Sequence, residues 1–339
     1  MAEPILIWGA GAIGGTAGAF LVRAGHAVHF VDLVPEHVAA IRDPARGLSI
    51  EGPVARFTVT APAFTPDALQ GRYSHIFLAV KAQHTEAACR ALLPHLAEDG
   101  YVLSLQNGLC ETLIAPIVGA PRTMGAFINY GADWHAPGRI VYGNRGPVVV
   151  GEIDGAETPR LAALHALLRD FEPDAVLTRE IWGYLWGKLG YLALLFSQAL
   201  GEKGIADCLD RAELVPLFRA LVGEVMRVAL AEGVRPLAFA PFNPAGFLPG
   251  ATEAEARAAL REMVAFNRPS AKTHSGIWRD LWVRKRRTEA DAQIAPISAI
   301  GARHGIACPL VDRLVAMIHE CEAGTRPMDD ANLPELARA

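Results

Sequence analysis

The sequence predicts an α/β domain with a mostly parallel, doubly wound sheet, followed by an all-α domain. Three observations carry this. An apolar run at residues 4–8 leads directly into Gly9-Ala-Gly11-Ala-Ile-Gly14. Strand-like and helical stretches then alternate as far as residue 179, which is the pattern of a parallel sheet with crossover helices. From residue 180 the strand-like runs stop and long helical periodicities take over. The expected domains are 1–179 and 180–323, with a polar, loosely held tail at 324–339.

The first strand, 4–8, is followed by the glycine loop and by a helix of small residues that Gly25 ends. A second strand, 27–31, is closed by Asp32. Strand, glycine loop, helix, strand and acid within about 30 residues is the fingerprint of a dinucleotide-binding Rossmann domain. Gly9 permits the tight turn, Gly11 lets the backbone approach a pyrophosphate, and Gly14 lets the helix pack on the strand. Ala12 and Ile13 belong to the same loop, and the helix expected from Gly15 to Ala24 has unpaired N–H groups and a dipole that suit phosphate. Asp32 accepts hydrogen bonds from the adenosine ribose and repels a 2′-phosphate. NAD is therefore expected rather than NADP.

A third strand, 75–80, runs into Lys81-Ala-Gln83, and a helix is expected at 85–96. The strand 101–105 runs into Gln106-Asn107-Gly108. Ligands of doubly wound sheets bind beyond the carboxyl ends of the strands, where Lys81 and Asn107 both fall. Runs at 123–127, 138–142 and 147–151 are expected to extend the sheet in the antiparallel sense, with 131–138 as a turn. A helix at 161–171 and a short strand at 175–178 complete this half.

In the second half, helices are expected at 181–200, 211–232, 252–267, about 275–303, and 309–323. The proline-punctuated stretch 236–249 reads as a loop that could form a lid or a wall. The first helix, WGYLWGKLGYLALLFSQAL, is apolar nearly throughout and carries one charge, Lys188. An ammonium is expensive to bury without a partner. Lys188 therefore either snorkels to water along its stem or has a task. Leu192 and Phe196 follow at i+4 and i+8, on the same helical face.

Composition excludes several classes. With 36 acidic and 32 basic residues the formal charge is -4, so there is no general drive toward nucleic acid or anionic lipid. No run reaches the roughly 20 apolar residues of a membrane span, so neither membrane nor nucleic acid is an expected partner. The five cysteines form no CxxC pair. No metal site is expected, and the thiols read as small hydrophobes of a reducing, cytoplasmic compartment.

Several marks now stand in order: GAGAIG, Val80-Lys81-Ala-Gln83, Gln106-Asn107-Gly108, Trp186-Gly-Lys188-Leu, Arg287-Thr-Glu289-Ala-Asp291 and His304-Gly-Ile-Ala-Cys-Pro309. Together they resemble the ketopantoate reductases (2-dehydropantoate 2-reductases), from about residue 4 to residue 322. The resemblance implies hydride transfer between a nicotinamide cofactor and C2 of a small 2-oxo or 2-hydroxy acid. It implies Lys188 as the catalytic lysine and Glu289 as support for that lysine and the substrate hydroxyl. Asn107 would lie near nicotinamide and substrate, Lys81 would serve the cofactor, and the helical domain would form a homodimer. Elementary chemistry agrees, because a cation aimed at a developing alkoxide stabilises the transition state and can deliver the proton.

Three departures bear on specificity. Leu192 and Phe196 stand where the family usually carries asparagines, and Asp32 stands where it commonly has a basic residue that fits NADPH. The family's substrate-binding serine is matched only approximately, by Ser275; His274 and Arg279 beside it could help hold a carboxylate. Ser275, His274, Leu192 and Phe196 are thus the candidate substrate contacts. Two other readings stand beside the reductase: an NAD-dependent catabolic dehydrogenase of a different hydroxy acid, and a non-catalytic NAD-binding sensor.

Overall fold

The computed structural model describes residues 3–270 and 273–338. The chain divides into two compact units, Met1–Ile181 and Trp182–Ala339. The first opens with β1 (Ile5–Trp8), α1 (Ala12–Arg23), β2 (Val28–Val31), α2 (Pro35–Arg42), β3 (Leu48–Glu51), β4 (Phe57–Val59) and β5 (Ala63–Phe64). It continues with β6 (Tyr73–Leu78), α3 (Thr85–Leu92), β7 (Leu96–Ser104), α4 (Glu111–Val118) and β8 (Thr123–Ile128). It closes with β9 (Gly131–Ala136), β10 (Arg139–Asn144), β11 (Val148–Glu152), α5 (Pro159–Arg169) and β12 (Val176–Leu177).

The expected doubly wound sheet is present, in the order β12-β11-β8-β7-β6-β1-β2-β5. Only the β8–β11 pairing is antiparallel. All four residues of β1 are buried, as befits a central strand covered on both faces. The chain moves from β1 to β2 on one side and later returns to β6 on the other. That reversal is the switch point at which such sheets bind ligands. Register aligns the carboxyl ends: Trp8 pairs with Val31 and with Leu78, and Leu78 pairs with Ser104. The loops carrying the glycines, Asp32, Lys81 and Asn107 therefore leave the sheet at one edge.

The run expected at 123–127 joins β7 in parallel as β8, not in the antiparallel sense, and residues 131–144 correct the sequence reading further. They do not extend the main sheet. β9 and β10 join β3 and β4 in a second sheet of order β4-β3-β10-β9. The stretch expected as a turn is the strand β9, and the turn itself is only Gly138 and its neighbour (φ 77° at Gly138). Half-exposed strands with histidine and aspartate lack the apolar alternation that marks a strand in sequence.

The second unit is helical, as expected: α6 (Ile181–Gln198), α7 (Ile205–Leu209), α8 (Val215–Ala231) and α9 (Glu253–Asn267) come first. They are followed by α10 (Gly276–Trp282), α11 (Ala290–Gln293), α12 (Pro296–Arg303), α13 (Pro309–Glu322) and α14 (Asn332–Leu336). The helix expected over about 275–303 is three short ones. Lys285 takes a left-handed φ of 49°, which a helix cannot accommodate. Arg284 and Arg286 fold back on Asp280 at 2.8 and 3.0 Å. Their charges look like a solvated helix face in sequence, which hid the break.

The stretch 236–249 is held against α6. A Cβ on Gly187 would stand 2.4 Å from the Leu237 carbonyl oxygen, and one on Gly183 would meet the Leu237 side chain at 2.8 Å. The Leu237 N–H donates to the Gly183 carbonyl at 2.9 Å. Only glycine lets a loop backbone lie this close to a helix.

The C-terminal tail also corrects the sequence reading, for it is not loose. Leu333 and Leu336 of α14 are fully buried, each contributing roughly 2 kcal/mol by removal from water. Arg326 bonds both Glu320 and Glu335. Asn332 donates to the Leu200 carbonyl at 2.9 Å. Two leucines spaced three apart in a short polar tail gave too little periodicity to reveal this.

Candidate functional site

The glycine loop has the shape of a diphosphate cradle. Gly9 sits at φ 99°, and a Cβ there would stand 2.9 Å from the Ala79 carbonyl carbon and the Val80 nitrogen of the loop after β6. A Cβ on Gly14 would stand 2.1 Å from the Gly9 carbonyl oxygen. Around Gly11, by contrast, a Cβ would meet nothing within 4 Å. Two glycines are thus required by the protein's own packing, and the third leaves room for a ligand. Gly11 is the N-cap of α1, with no side-chain cap and no acid in the first turn. That leaves the positive end of the helix available to an anion. Ala12 and Ile13 form its first turn, and the Ile13 carbonyl accepts from the buried Tyr130 hydroxyl at 2.8 Å.

Asp32 lies at the carboxyl end of β2, partly buried. Its Oδ2 accepts from the Ala10 N–H at 2.9 Å and its Oδ1 from the Val34 N–H at 3.0 Å. The cradle and the acid fit the adenosine diphosphate part of a dinucleotide, with no basic residue next to Asp32 in the sequence.

The loops after β6 and β7 are tied together. Gln106 donates from Nε2 to the Val80 carbonyl and to the Thr85 Oγ1, both at 2.9 Å. Lys81 is exposed and Asn107 half-buried. The Cys110 thiol donates to the Asn107 carbonyl at 3.4 Å. Just behind lies Glu111, fully buried at the start of α4, with neither carboxyl oxygen in a full hydrogen bond among the described residues. Ser104 Oγ and Gln106 Oε1 are also buried without a full hydrogen bond among the described residues. Burial pushes the Glu111 carboxyl up to about 8, against smaller lowerings by its own backbone N–H and then by the nearby Ser104 hydroxyl.

In the second unit, Lys188 is 8% exposed on α6. Leu192 and Phe196 follow one and two turns later and are also buried. The line from Lys188 through Leu192 to Phe196 is therefore an ammonium followed by apolar surface. Glu289 is half-buried immediately before α11. The turn that carries it is pinned, because Thr288 donates through both N–H and Oγ1 to Glu322 of α13 at 2.7 Å. A cavity of about 320 Å³ lined by Arg287, Asp291, His319, Glu322 and Ala323 flanks this turn.

Ser275 and His274 have structural duties. Ser275 is the N-cap of α10, its oxygen accepting from the Trp278 N–H at 3.0 Å. His274 packs at a tilt of 35° against the Trp278 ring, 3.9 Å between centroids, and bonds the Thr273 hydroxyl and the Glu202 carbonyl. Sequence reasoning gave no role to Glu111 or Tyr130, and named Gln106 only as part of the Gln106-Asn107-Gly108 mark. Only Glu111 left a signal, as a lone acid opening an otherwise apolar helix. Among the described residues no cluster of histidine, cysteine and acids forms a metal site, and no helix is long and apolar enough to cross a membrane.

Comparison with known proteins follows the same division. Residues 5–155 match the family model for ketopantoate reductase PanE/ApbA, and residues 180–322 match the model of its C-terminal part. The chain is 26% identical over 324 residues to the 2-dehydropantoate 2-reductase of Archaeoglobus fulgidus, covering 95% of this chain and 99% of that one. It resembles the solved PanE/ApbA family ketopantoate reductase of Ralstonia eutropha JMP134, with a TM-score of 0.74 at 26% identity over 96% of this chain and 100% of that one. A D-mandelate dehydrogenase solved with NADH and anilino(oxo)acetate shares the fold, with a TM-score of 0.81 at 22% identity over 95% and 98% of the two chains.

Proposed function

This chain belongs to the ketopantoate reductase PanE/ApbA family and is a 2-dehydropantoate reductase-like oxidoreductase; from that premise we propose that it uses NAD and acts at C2 of 2-dehydropantoate or a more apolar 2-oxo acid. The observation that carries the cofactor reading is the open face of Gly11 beside an Asp32 carboxylate at the end of β2. The reduced nicotinamide, when bound, supplies the hydride that C2 receives.

The chain's own residues do the rest. As C2 gains the hydride, negative charge grows on its oxygen. The Lys188 ammonium stabilises that charge and donates the proton, so the product is a 2-hydroxy acid and a neutral amine that solvent reprotonates. Burial of Lys188 at 8% exposure supports this role, since a cation acts more strongly where water is excluded. Glu289 accepts from the lysine and the substrate hydroxyl, and Asn107 and Lys81 orient nicotinamide and substrate. Ser275 already accepts at its oxygen, so its remaining contribution is its hydroxyl proton, given to the substrate carboxylate with His274 beside it. Leu192 and Phe196 would face the C2 substituent, which favours an apolar group there over a hydroxylated one.

The reading extends to a homodimer in the cytoplasm, which sedimentation of the purified chain checks. The central experiment follows NADH and NADPH oxidation over a panel of 2-oxo acids graded from 2-dehydropantoate to apolar analogues. NADH-driven reduction of at least one member is expected. Absence of turnover across the panel with both cofactors would overturn the assignment.

A further inference from the structure

His37 is 1% exposed on α2 and has no part in the chemistry above. Its two ring nitrogens reach two different elements. Nδ1 accepts from the Gly138 N–H at 2.9 Å, at the β9–β10 turn. A backbone N–H is only a donor, so the imidazole proton sits on Nε2, which donates to the Ala10 carbonyl at 2.8 Å. Ala10 lies between Gly9 and Gly11, and its N–H is taken by Asp32. Both polar groups of this residue are thus held by side chains.

The other end of the bridge is firm. The Gly138 carbonyl accepts from Ser49 of β3 at 2.8 Å. At φ 77° Gly138 lies so close to α2 that a Cβ would stand 2.8 Å from that of Ala40. Trp134 of β9 meets the His37 ring edge-on, with centroids 6.0 Å apart. The second sheet therefore presents a fixed donor to one side of the ring, and the ring presents a fixed donor to the glycine loop.

The Ala10–Gly11 peptide is trans. In a trans peptide the carbonyl and the N–H point in opposite directions. Holding the Ala10 carbonyl against His37 therefore turns the Gly11 N–H away from His37, on the peptide unit that carries the open face described above. We infer that His37 is a positioning residue for the dinucleotide, joining the second sheet to the glycine loop so that the Gly11 amide is set for phosphate before the cofactor arrives. The inference rests on the proposed cofactor reading.

The test is the NADH dissociation constant, read by nucleotide fluorescence on the full chain and set against steady-state kinetics. His37→Leu removes both bonds and strands a buried carbonyl, so its dissociation constant is expected to rise about tenfold or more, with kcat at saturating NADH within about twofold. His37→Gln can donate and accept at once and is expected to recover most of the affinity. Should the leucine variant fail to fold, His37→Asn, too short to reach both partners, is expected to show the same loss. A leucine or asparagine variant that binds NADH as the wild type does overturns the inference while the cofactor reading stands. A wild-type chain that binds neither NADH nor NADPH overturns both.

Discussion

The Asp32 carboxylate is anchored to the glycine loop it serves: its Oδ2 accepts the Ala10 N–H at 2.9 Å while its Oδ1 accepts that of Val34. Each oxygen keeps a lone pair for a ribose hydroxyl. Asp32→Ala is expected to raise the KM for NADH by about tenfold or more and to narrow the gap between NADH and NADPH. Kinetics with both cofactors measure this, and an unchanged ratio would remove Asp32 from cofactor selection.

Loss of the buried ammonium is a direct test of the chemistry. Lys188→Ala is expected to lower kcat by about 10²- to 10⁴-fold, the usual span for one acid–base group. The NADH dissociation constant should not move, because the cradle lies on other elements. Turnover equal to wild type would exclude the lysine from the reaction.

Specificity is expected to respond at Leu192. Leu192→Asn puts an amide into a buried position, at a cost of about 1–3 kcal/mol in stability. It should also shift the ratio of kcat/KM toward hydroxylated 2-oxo acids. A panel assay beside a urea titration separates the two effects.

Glu111 predicts a pH dependence of stability. Its ordinary value of 4.5 rises to about 8 on burial, so between these the folded chain holds a proton that the unfolded chain releases. The Glu111 contribution is therefore complete below about pH 4.5 and is lost as pH climbs toward 8. Across that window the urea midpoints of the wild type should fall with pH relative to those of Glu111→Gln, because the lowered His29 and His75 act in the opposite sense in both chains. The glutamine stays neutral throughout. Parallel profiles would show that the carboxyl is ionised in the folded chain.

Deleting residues 325–339 is expected to lower stability by about 3–5 kcal/mol, since Leu333 and Leu336 leave their buried positions and the Arg326 bonds to Glu320 and Glu335 are lost. Thermal melts of the shortened chain check this. Equal melting temperatures would mean that the tail adds nothing.

What could be read in the sequence is what local chemistry dictates. The glycine loop, the strand before it and the acid after it form one continuous stretch, so Gly9, Gly11, Gly14 and Asp32 could be placed without knowing the fold. The second sheet could not, because β3 and β10 lie far apart in the chain and are paired only by tertiary packing. The same holds for Gln106, whose two bonds cross between loops. Thr288 and Glu322 are 34 residues apart, and only the packing of α11 on α13 makes them neighbours. Leu192 and Phe196 were legible because helical spacing alone puts them in line with Lys188.

The glycine face of α6 carries one more consequence. Gly183 and Gly187 fasten the helix to the 236–249 stretch through backbone contact, while Lys188, Leu192 and Phe196 run along a different side of the same cylinder. Anchorage and the proposed selectivity therefore fall on separate faces of one element. If Leu192 and Phe196 meet the substrate as proposed, exchange at those two positions would retune which acid is accepted without unfastening the helix or touching Lys188, so new specificities would be open to this scaffold by drift at two positions.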